Sequence, residues 1–351
     1  MVRYTKYNKT IPQYNNMSDK TFTASDIIKI FQTTRAKSSI LRDEESGLIP
    51  RADRINRGSI KQIRAWKLAD MPKIGKAYGF IHQPKGNNII SIYTPKGGVL
   101  KTTLAYNLAR IFAINGIETL VIGLDHQRSI TNLLANTPAQ ETTDINSLLP
   151  SHPSLYELTS HENPVSLANI ILQTDLPTLH YIPENTKLHL LEQKIRDENK
   201  REYFLSKMIE PLKDIYKIII FDNPPAWNFL TQNSLVAANT IIMPIGCDIG
   251  TFEAVIDHIN TIQTFQKKME LSWKNLIMIP TLLEQTKLSR QIEARYRVDY
   301  QKYITTASIH RAAKGQESLL QGASIIETDP LSGLANDYRD FVGELWDKIA
   351  L

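Results

Sequence analysis

A short segment rich in glycine, lysine and threonine has the composition of a phosphate-binding loop. It reads KGGVLKTT, from Lys96 to Thr103, and lies between the β-branched run NNIISIYT and a segment with apolar residues at helical spacing. Gly97 and Gly98 let the backbone turn tightly and direct its N–H groups at phosphate oxygens, while the N-terminus of the following helix adds a partial positive charge. Strand, glycine turn and helix therefore occur in the order that phosphate binding requires.

Two polar side chains of this segment have distinct expected roles. The ammonium group of Lys101 should reach the β- and γ-phosphates of a nucleotide, and the hydroxyl of Thr102 should hold Mg²⁺. One position departs from the pattern G-x-x-x-x-G-K-[ST], because Leu100 stands where the second glycine belongs. We expect Leu100 to need only an ordinary backbone conformation. Val99 and Thr103 complete the residues predicted to surround the phosphates.

Two further apolar runs end at aspartates. The run ETLVIGL leads to Asp125, and the run YKIIIF leads to Asp222. Such runs predict buried parallel strands, and ligands of an open parallel sheet lie beyond the carboxyl ends of its strands. We therefore expect both aspartates to lie near Lys101. The carboxylate of Asp222 can accept hydrogen bonds from the waters that Mg²⁺ usually keeps; the alternative role, a helix cap, accounts less well for the preceding apolar run.

The motif KGGxxKT[ST] resembles the signature of the deviant Walker A ATPases, and a bulky residue before the second lysine is similar to the large plasmid-partition ATPases of the ParA type. The resemblance implies a sandwich dimer that binds ATP or ADP with Mg²⁺, in which Lys96 crosses to the phosphates of the partner subunit. The segment GLDHQ resembles the family's D-x-D-P-Q, with Gly123 in place of the first acid and His126 in place of the proline. Asp125 is then the candidate for orienting the attacking water, and the missing acid implies slow turnover.

The segment FDNPP at Asp222 resembles the family's Walker B element, and the whole resemblance spans residues 89–351. Residues 238–246, 275–283 and 304–310 are predicted as further strands with helical patterns between them. The expected fold is thus α/β, a P-loop protein with a mostly parallel sheet and helices on both faces. The resemblance also implies that Pro280 contacts the adenine. It further implies a sequence-independent DNA surface with Arg290, Arg311 and Lys314, whose alternative role is ordinary helix-surface charge.

The first quarter of the chain is strongly basic. Residues 1–90 carry 17 Lys and Arg against 7 Asp and Glu, whereas the remaining residues carry 24 against 29. A basic segment joined to a mildly acidic one indicates an N-terminal module that binds nucleic acid and is attached to a separate domain. A solvated basic surface is the alternative interpretation.

Within this basic segment, residues 21–50 have the pattern of two helices joined by a short turn, with residues 35–45 as the helix that enters a DNA groove. Residues 47–69 are expected to form an arginine-containing loop and then a third helix. Residues 44–50 resemble the ExxGLIP turn of the winged MerR-type module, which implies operator binding and repression of the partition genes. The alternative is a small helical domain used only for dimerisation. The residues expected to contact DNA are Arg35, Lys37, Ser38, Ser39, Arg42, Arg51, Arg54 and Arg57.

The chain is accordingly divided into an N-terminal arm (1–20), a winged helix-turn-helix domain (21–81), a linker (82–88) and a ParA-like ATPase domain (89–351). No run approaches the roughly 18 apolar residues of a membrane span, and the polar start lacks the apolar segment of a signal peptide. We therefore expect a cytoplasmic, nucleoid-associated protein. The single cysteine, Cys247, cannot form a disulfide within one chain and is expected to be a buried thiol.

These features together predict a DNA-partition ATPase that is stimulated by DNA and by a centromere-binding partner of the ParB kind. Three alternatives share some of the motifs. A MinD-like ATPase that cycles on membranes needs a basic amphipathic tail, whereas residues 336–351 carry a net charge of −2. A repressor that binds nucleotide only as a structural ligand is consistent with Gly123. A positioning ATPase for a cargo other than a plasmid has the same motifs.

Overall fold

The centre of the molecule is a seven-stranded sheet, seen in a computed structural model that describes residues 20–56, 62–135, 152–159 and 165–350. The strands of the described residues are β1 (Thr21–Thr23), β2 (Asp53–Asn56), β3 (Gln62–Lys67), β4 (Asn88–Ile92), β5 (Thr119–Gly123), β6 (Leu172–Gln173), β7 (Leu179–Ile182), β8 (Ile218–Asp222), β9 (Thr240–Gly246) and β10 (Asn275–Thr281). The order of the seven strands is β10-β9-β4-β8-β5-β7-β6, and neighbouring strands are parallel except β6 and β7, which are antiparallel.

Helices cover the sheet and follow most of its strands. None of those in the described ranges is long and apolar enough to cross a membrane. The helices are α1 (Ala24–Phe31), α2 (Lys37–Glu45), α3 (Met71–Tyr78), α4 (Lys101–Ile114), α5 (Ser129–Leu134), α6 (Leu167–Ile170), α7 (Leu188–Arg196), α8 (Phe204–Ile209), α9 (Phe229–Ala237), α10 (Ile249–Lys268), α11 (Lys287–Asp299), α12 (Ala313–Leu320), α13 (Ile325–Thr328) and α14 (Gly333–Ile349).

The central strands are buried along their whole length. Every residue of β4, β5, β8 and β9 is buried, because helices pack on both faces of a parallel sheet. This double burial explains why the four strands read as continuous apolar runs in the sequence. The predicted α/β fold with a mostly parallel sheet is confirmed.

One predicted strand of the sheet does not form. Residues 304–310 run beside β10 but make only isolated bridges there. The main-chain N–H groups of Thr306 and Ala307 donate instead to the carboxylate of Glu344 on α14, at 2.8 and 2.6 Å. These two N–H groups therefore cannot pair with β10, and the hydrogen-bond ladder between β10 and residues 304–310 is interrupted. Conversely, the short strands β6 and β7 at the opposite edge had not been predicted.

The N-terminal part consists of α1, a short turn, α2, an antiparallel sheet with the order β1-β3-β2, and α3. Helix α1 begins at a capping box between Thr23 and Asp26. The helix predicted directly after the arginine-containing loop is wrong, because residues 62–67 form the central strand β3. The indole of Trp66 in β3 is completely buried and donates to the carbonyl oxygen of Pro50 at 2.7 Å. The next helix, α3, begins only at Met71.

The N-terminal part packs against the C-terminal end of α4. Gly75 on α3 lies so close to this end that a methyl group in its place would come within 1.9 Å of the carbonyl oxygen of Ile114. On the other side, the guanidinium of Arg339 on α14 donates to the carbonyl oxygens of Lys29 and Ile30, both at 3.1 Å. One hydrophobic core runs from α1 through α3 and α4 to α14. The segment 82–88 therefore joins two parts that share a core.

A buried ion cluster holds α4 in the sheet layer. The guanidinium of Arg110 is 2% exposed and contacts the carboxylates of Asp175 and Glu327, at 2.8 and 2.7 Å. Burial raises the pKa of Glu327, but the charge and hydrogen bonds of Arg110 outweigh it and lower this pKa to about 2. Removing Arg110 would leave two buried carboxylates without their shared cation, which is strongly destabilising. The helix that follows the phosphate-binding loop is thus held at Arg110, in its third turn.

Replacing Gly75 with alanine should destabilise the protein, although alanine favours helices. The added methyl group would collide with main-chain atoms of α4, and overpacking typically costs about 1–3 kcal/mol. Gly343 is a matched control, because it lies within α14 and a methyl group there would meet nothing within 4 Å. Gly343→Ala should stabilise the protein by roughly 0.5–1 kcal/mol.

Urea denaturation of both variants checks this expectation. The midpoint should fall for Gly75→Ala and rise for Gly343→Ala. A rise for both variants would contradict the close packing of α3 on α4.

Candidate nucleotide-binding site

The loop between β4 and α4 is open to solvent at its glycines and anchored behind them. A methyl group on Gly97 or Gly98 would meet nothing within 4 Å, and Gly98 has a φ of +77°. The carbonyl oxygen of Val99, by contrast, accepts a hydrogen bond from the hydroxyl of Thr281 at the end of β10, at 3.2 Å. The loop therefore has space for a ligand above its main chain while its base is fixed to the sheet.

The conformation of Leu100 differs from the prediction. This residue has φ 68° and ψ 24°, in the left-handed region, and forms the N-cap of α4. For an L-residue with a side chain this conformation costs roughly 1–2 kcal/mol, which is why a glycine occupies the position in the standard pattern. The expectation of an ordinary backbone conformation was wrong. The half-buried Leu100 side chain packs against the hydrophobic core, and this contact helps to hold the loop in its strained conformation.

Lys101 and Asp222 are two buried groups of opposite charge below the loop. Lys101 is 7% exposed and Asp222 is completely buried. Burial lowers the pKa of Lys101 to about 8, although Asp222 and Asp125 act in the opposite direction. The ammonium group donates to the carbonyl oxygen of Lys96 at 2.7 Å, which folds it back under the loop. Both of these predicted residues thus lie at the carboxyl edge of the sheet, with Asp125 near them.

The surroundings of Asp222 fit a magnesium ion. Burial raises its pKa to about 7, and the Thr102 hydroxyl and Lys101 lower it while Asp125 raises it. Although Thr102 is near enough to have this effect, neither carboxylate oxygen has a hydrogen bond of good geometry. Buried carboxylates without such partners are rare, and a bound cation with its waters would provide partners for both oxygens. Oxygen atoms of a carboxylate and a hydroxyl are suitable partners for Mg²⁺ and its waters.

Asp125 lies two residues beyond β5, as predicted, and is half-buried. Its carboxylate accepts a hydrogen bond from the main-chain N–H of Gln127 at 3.0 Å, and its own N–H donates to Glu184 at 3.2 Å. Glu184 is a buried acid at this edge that our sequence reasoning missed. The available signal was the run LHYIPE, in which an acid follows a short apolar strand, β7.

Lys96 is exposed, and its ammonium group lies over the start of α10. A methyl group on Gly250 would come within 3.3 Å of this nitrogen, which places the lysine side chain beside Asp248 and Gly250. Within one chain, therefore, the exposed Lys96 side chain reaches the first residues of α10.

A cavity of about 550 Å³ opens beside the loop. Pro280, the residue predicted to contact adenine, does not line this cavity: it is buried in β10, and its carbonyl oxygen accepts a hydrogen bond from Ile309 at 2.8 Å. Leu282, two residues further along, does line it. The cavity residues that adjoin the loop and face it from the C-terminal region include Gly98, Leu100, Thr103, Leu282, Arg311 and Tyr338.

The residues predicted to contact DNA occupy two separate regions. On the ATPase part, Arg290, Arg311 and Lys314 are all exposed, but Arg311 pairs with Glu284 at 2.9 Å and Lys314 pairs with Asp329. In the N-terminal part, Arg57 lies outside the described residues, as does most of the arm. The others lie on or next to α2 and β2, exposed except for the half-buried Ser39: Arg35, Lys37, Ser38, Ser39, Arg42, Arg51 and Arg54.

Comparison with known proteins places this site in context. A protein-family model described as an AAA domain matches residues 87–276. The sporulation initiation inhibitor protein Soj of Bacillus subtilis is 28% identical over 258 residues, which cover 73% of this chain and 97% of Soj. The cell division protein PomZ of Myxococcus xanthus is 24% identical over 255 residues, which cover 72% of this chain and 76% of PomZ.

Solved structures with a similar fold include the following two. The ATP complex of a variant of Cyanothece McdA has a TM-score of 0.62 at 22% identity and covers 74% of this chain and 95% of that one. The cobyrinic acid a,c-diamide synthase of Mycobacterium smegmatis, with a bound ATP analogue and magnesium, has a TM-score of 0.55 at 26% identity. It covers 67% of this chain and 92% of that one.

Asp222→Asn should stabilise the nucleotide-free protein in a pH-dependent way. The pKa of Asp222 is raised to about 7 in the folded state, so the folded state binds more protons than the unfolded state between about pH 4 and 7. Wild-type stability therefore falls as the pH rises through this window. The asparagine variant avoids this loss, and its free energy of unfolding should exceed that of the wild type by roughly 1–3 kcal/mol at pH 8.

Denaturant titrations of both proteins at pH 5 and pH 8 measure this difference. The gain should shrink toward pH 5. The variant should also lose any rise in melting temperature that ATP and Mg²⁺ give the wild type. A variant that is less stable than the wild type at pH 8 would show that Asp222 is already well paired without a ligand.

Proposed function

The chain belongs to the AAA domain family, with partition ATPases of the ParA and Soj type among its relatives, and on this basis we propose that it is a DNA-partition ATPase. It would bind ATP or ADP with Mg²⁺ in the loop between β4 and α4 and hydrolyse ATP slowly. Lys101 would hold the β- and γ-phosphates, Thr102 and Asp222 would hold the magnesium and its waters, and Asp125 would orient the attacking water.

The observation that supports this proposal most directly is the buried Asp222 carboxylate. It lies at the carboxyl end of β8 without a well-formed hydrogen bond, near Lys101 and Thr102 and below a loop with open space above its glycines. A nucleotide with its cation would satisfy these groups together. Phosphoryl transfer depends mainly on such positioning and charge stabilisation, so this chain needs no further nucleophile of its own.

We further propose that the active form is a homodimer with its two nucleotide sites face to face. Lys96 is exposed and its ammonium group lies near Gly250 at the start of α10, which is consistent with contact to the phosphates of the partner subunit. Two apolar side chains on the neighbouring helix α10, Ile249 and Ile256, are 54% and 42% exposed, and a second chain would bury them.

Two surfaces are proposed to bind DNA. In the ATP-bound dimer, Arg290, Arg311 and Lys314 would contact phosphates without sequence preference. The N-terminal part would act as a winged helix-turn-helix domain, with α2 in the major groove of its operator and the β2–β3 hairpin as the wing. The exposed cations on α2 and β2 support this arrangement. A ParB-like partner would stimulate hydrolysis and so release the nonspecific DNA.

A second candidate function is the positioning of a cargo other than a plasmid. The similarity to PomZ, which is named a cell division protein, favours it. The nucleotide site would work in the same way in both cases. The bound cargo, identified by co-purification with the ATP-bound chain, separates the two functions.

Lys101→Ala and Lys96→Ala should affect different steps of the ATPase cycle. Without Lys101 the phosphates lose their buried cation, so ATP hydrolysis should fall by at least about 100-fold and ATP binding should weaken. Without Lys96 a single chain should still bind ATP, but ATP-dependent dimerisation and hydrolysis should both be lost. Lys85→Ala removes an exposed lysine away from the loop and serves as the control.

Phosphate release, measured with and without nonspecific DNA and the protein encoded by the neighbouring gene, together with light scattering, tests these expectations. Hydrolysis that survives Lys101→Ala would show that the site is assigned wrongly. Dimerisation that survives Lys96→Ala would refute the role of this lysine in trans.

The two proposed DNA surfaces can be separated by matched arginine substitutions. Arg42 on α2 and Arg290 on α11 are both exposed, and either change to alanine removes one positive charge. Arg42→Ala should weaken protection of the DNA upstream of the chain's own gene while nonspecific binding in ATP is unchanged. Arg290→Ala should do the reverse and reduce the salt dependence of nonspecific binding by about one unit. Equal loss of both activities in either variant would contradict two separate surfaces.

A further inference from the structure

A buried carboxylate two residues beyond β7 fills the space beside Gly123. A methyl group on Gly123 would lie 2.3 Å from Cγ, 2.4 Å from Cδ and 2.6 Å from Oε1 of Glu184. Glu184 itself is 1% exposed. Any side chain at position 123 would therefore displace Glu184, and any withdrawal of Glu184 would leave a cavity at position 123. The two positions depend on each other although 61 positions separate them in the sequence.

Both oxygens of Glu184 bind the segment that carries Asp125. Oε1 accepts a hydrogen bond from the main-chain N–H of Asp125 at 3.2 Å. Oε2 accepts from the main-chain N–H and the hydroxyl of Thr131, at 3.3 and 3.2 Å, and the N–H of Glu184 donates back to this hydroxyl at 2.8 Å. The carboxylate thus joins the end of β5 to the first turn of α5. It fixes both ends of the intervening loop.

The neighbouring strands place this carboxylate at the nucleotide site. Gly123 pairs in register with Asp222 of β8, and β7 lies on the other side of β5. Burial, together with the nearby charge of Asp222, raises the pKa of Glu184 to about 8, and the hydrogen bonds of Thr131 and Asp125 oppose this rise. The side-chain oxygens of Glu184 accept three hydrogen bonds from the segment that carries Asp125, and an apolar side chain of the same size could not accept them.

We propose that Glu184 is a positioning residue for hydrolysis, and that its carboxylate, two residues beyond β7, takes the place of the one missing at Gly123 and holds Asp125 beside Lys101 and Asp222. The inference rests on the proposed ATPase function. In this chain, Glu184 and Asp125 would together provide the two acids of the D-x-D pattern, and the first of them would follow β7 and not lie at the end of β5.

The test is a set of four variants that moves the carboxylate between the two positions. Glu184→Ala should lower kcat by roughly 10–100-fold and leave KM for ATP within threefold. Gly123→Asp alone should also lower kcat, because its carboxylate collides with Glu184. The double variant Gly123→Asp/Glu184→Ala should regain at least about tenfold over either single variant, since the aspartate then occupies the vacated space. Gly123→Ala/Glu184→Ala, which fills space without a carboxylate, should regain thermal stability but not kcat.

Hydrogen exchange at the amides of Asp125 and Thr131 provides a readout that does not need ATP. In the nucleotide-free protein, Glu184→Ala should speed exchange at both amides, and Gly123→Asp/Glu184→Ala should slow it again. If the alanine double variant restores kcat as well as the aspartate one does, Glu184 only fills space and the inference is wrong. Unchanged kcat and unchanged exchange in Glu184→Ala would equally overturn it. A wild type that hydrolyses no ATP while Glu184→Ala still loosens the loop would refute the proposed function, not the positioning.

Discussion

The burial of Asp222 is the constraint on which the nucleotide site depends. A carboxylate with no exposed surface and no well-formed hydrogen bond is costly unless a cation is close to it. Lys101 supplies one positive charge, but the same burial lowers the pKa of the lysine. Lys101 therefore offsets only part of the cost of burying the Asp222 charge. The strained loop, the parallel strand ends and the open space above Gly97 all surround this pair. The free energy gained when a ligand completes it is available to order the loop.

Short-range patterns in the sequence predicted the parts of the site that come from adjacent residues. Strand β4, the glycine turn and α4 follow one another in the chain, and the runs before Asp125 and Asp222 are buried on both faces. The prediction failed where distant residues decide the outcome. Thr306 and Ala307 donate to Glu344 on a helix more than thirty residues later, so no ladder forms at residues 304–310. Trp66 becomes part of a strand because β1 and β2 pair on both sides of β3.

Glu184 and Leu100 show two further limits of sequence reasoning. The glycine at position 123 indicated only that a side chain was missing, and the carboxylate that occupies the space lies two residues beyond β7, a strand that the sequence did not predict. Leu100 has a left-handed conformation at the N-cap position, where the chain enters α4. The leucine keeps that conformation because its side chain is held by the core. The position of Glu184 beside Gly123 and the conformation of Leu100 both depend on the course of the backbone, which the residue types alone did not reveal.

The contact between Gly75 and Ile114 has a mechanical consequence. Helix α4 carries the phosphate-binding loop at its N-terminus and the N-terminal part at its C-terminus, about 21 Å away for fourteen residues. Main-chain atoms of α3 and α4 lie close together at this far end, and Arg110 of α4 is held by two buried carboxylates. Helix α4 and the N-terminal part should therefore move together as one rigid body. A small tilt at the loop would be transmitted to the surface around α2 as a displacement of the whole N-terminal part.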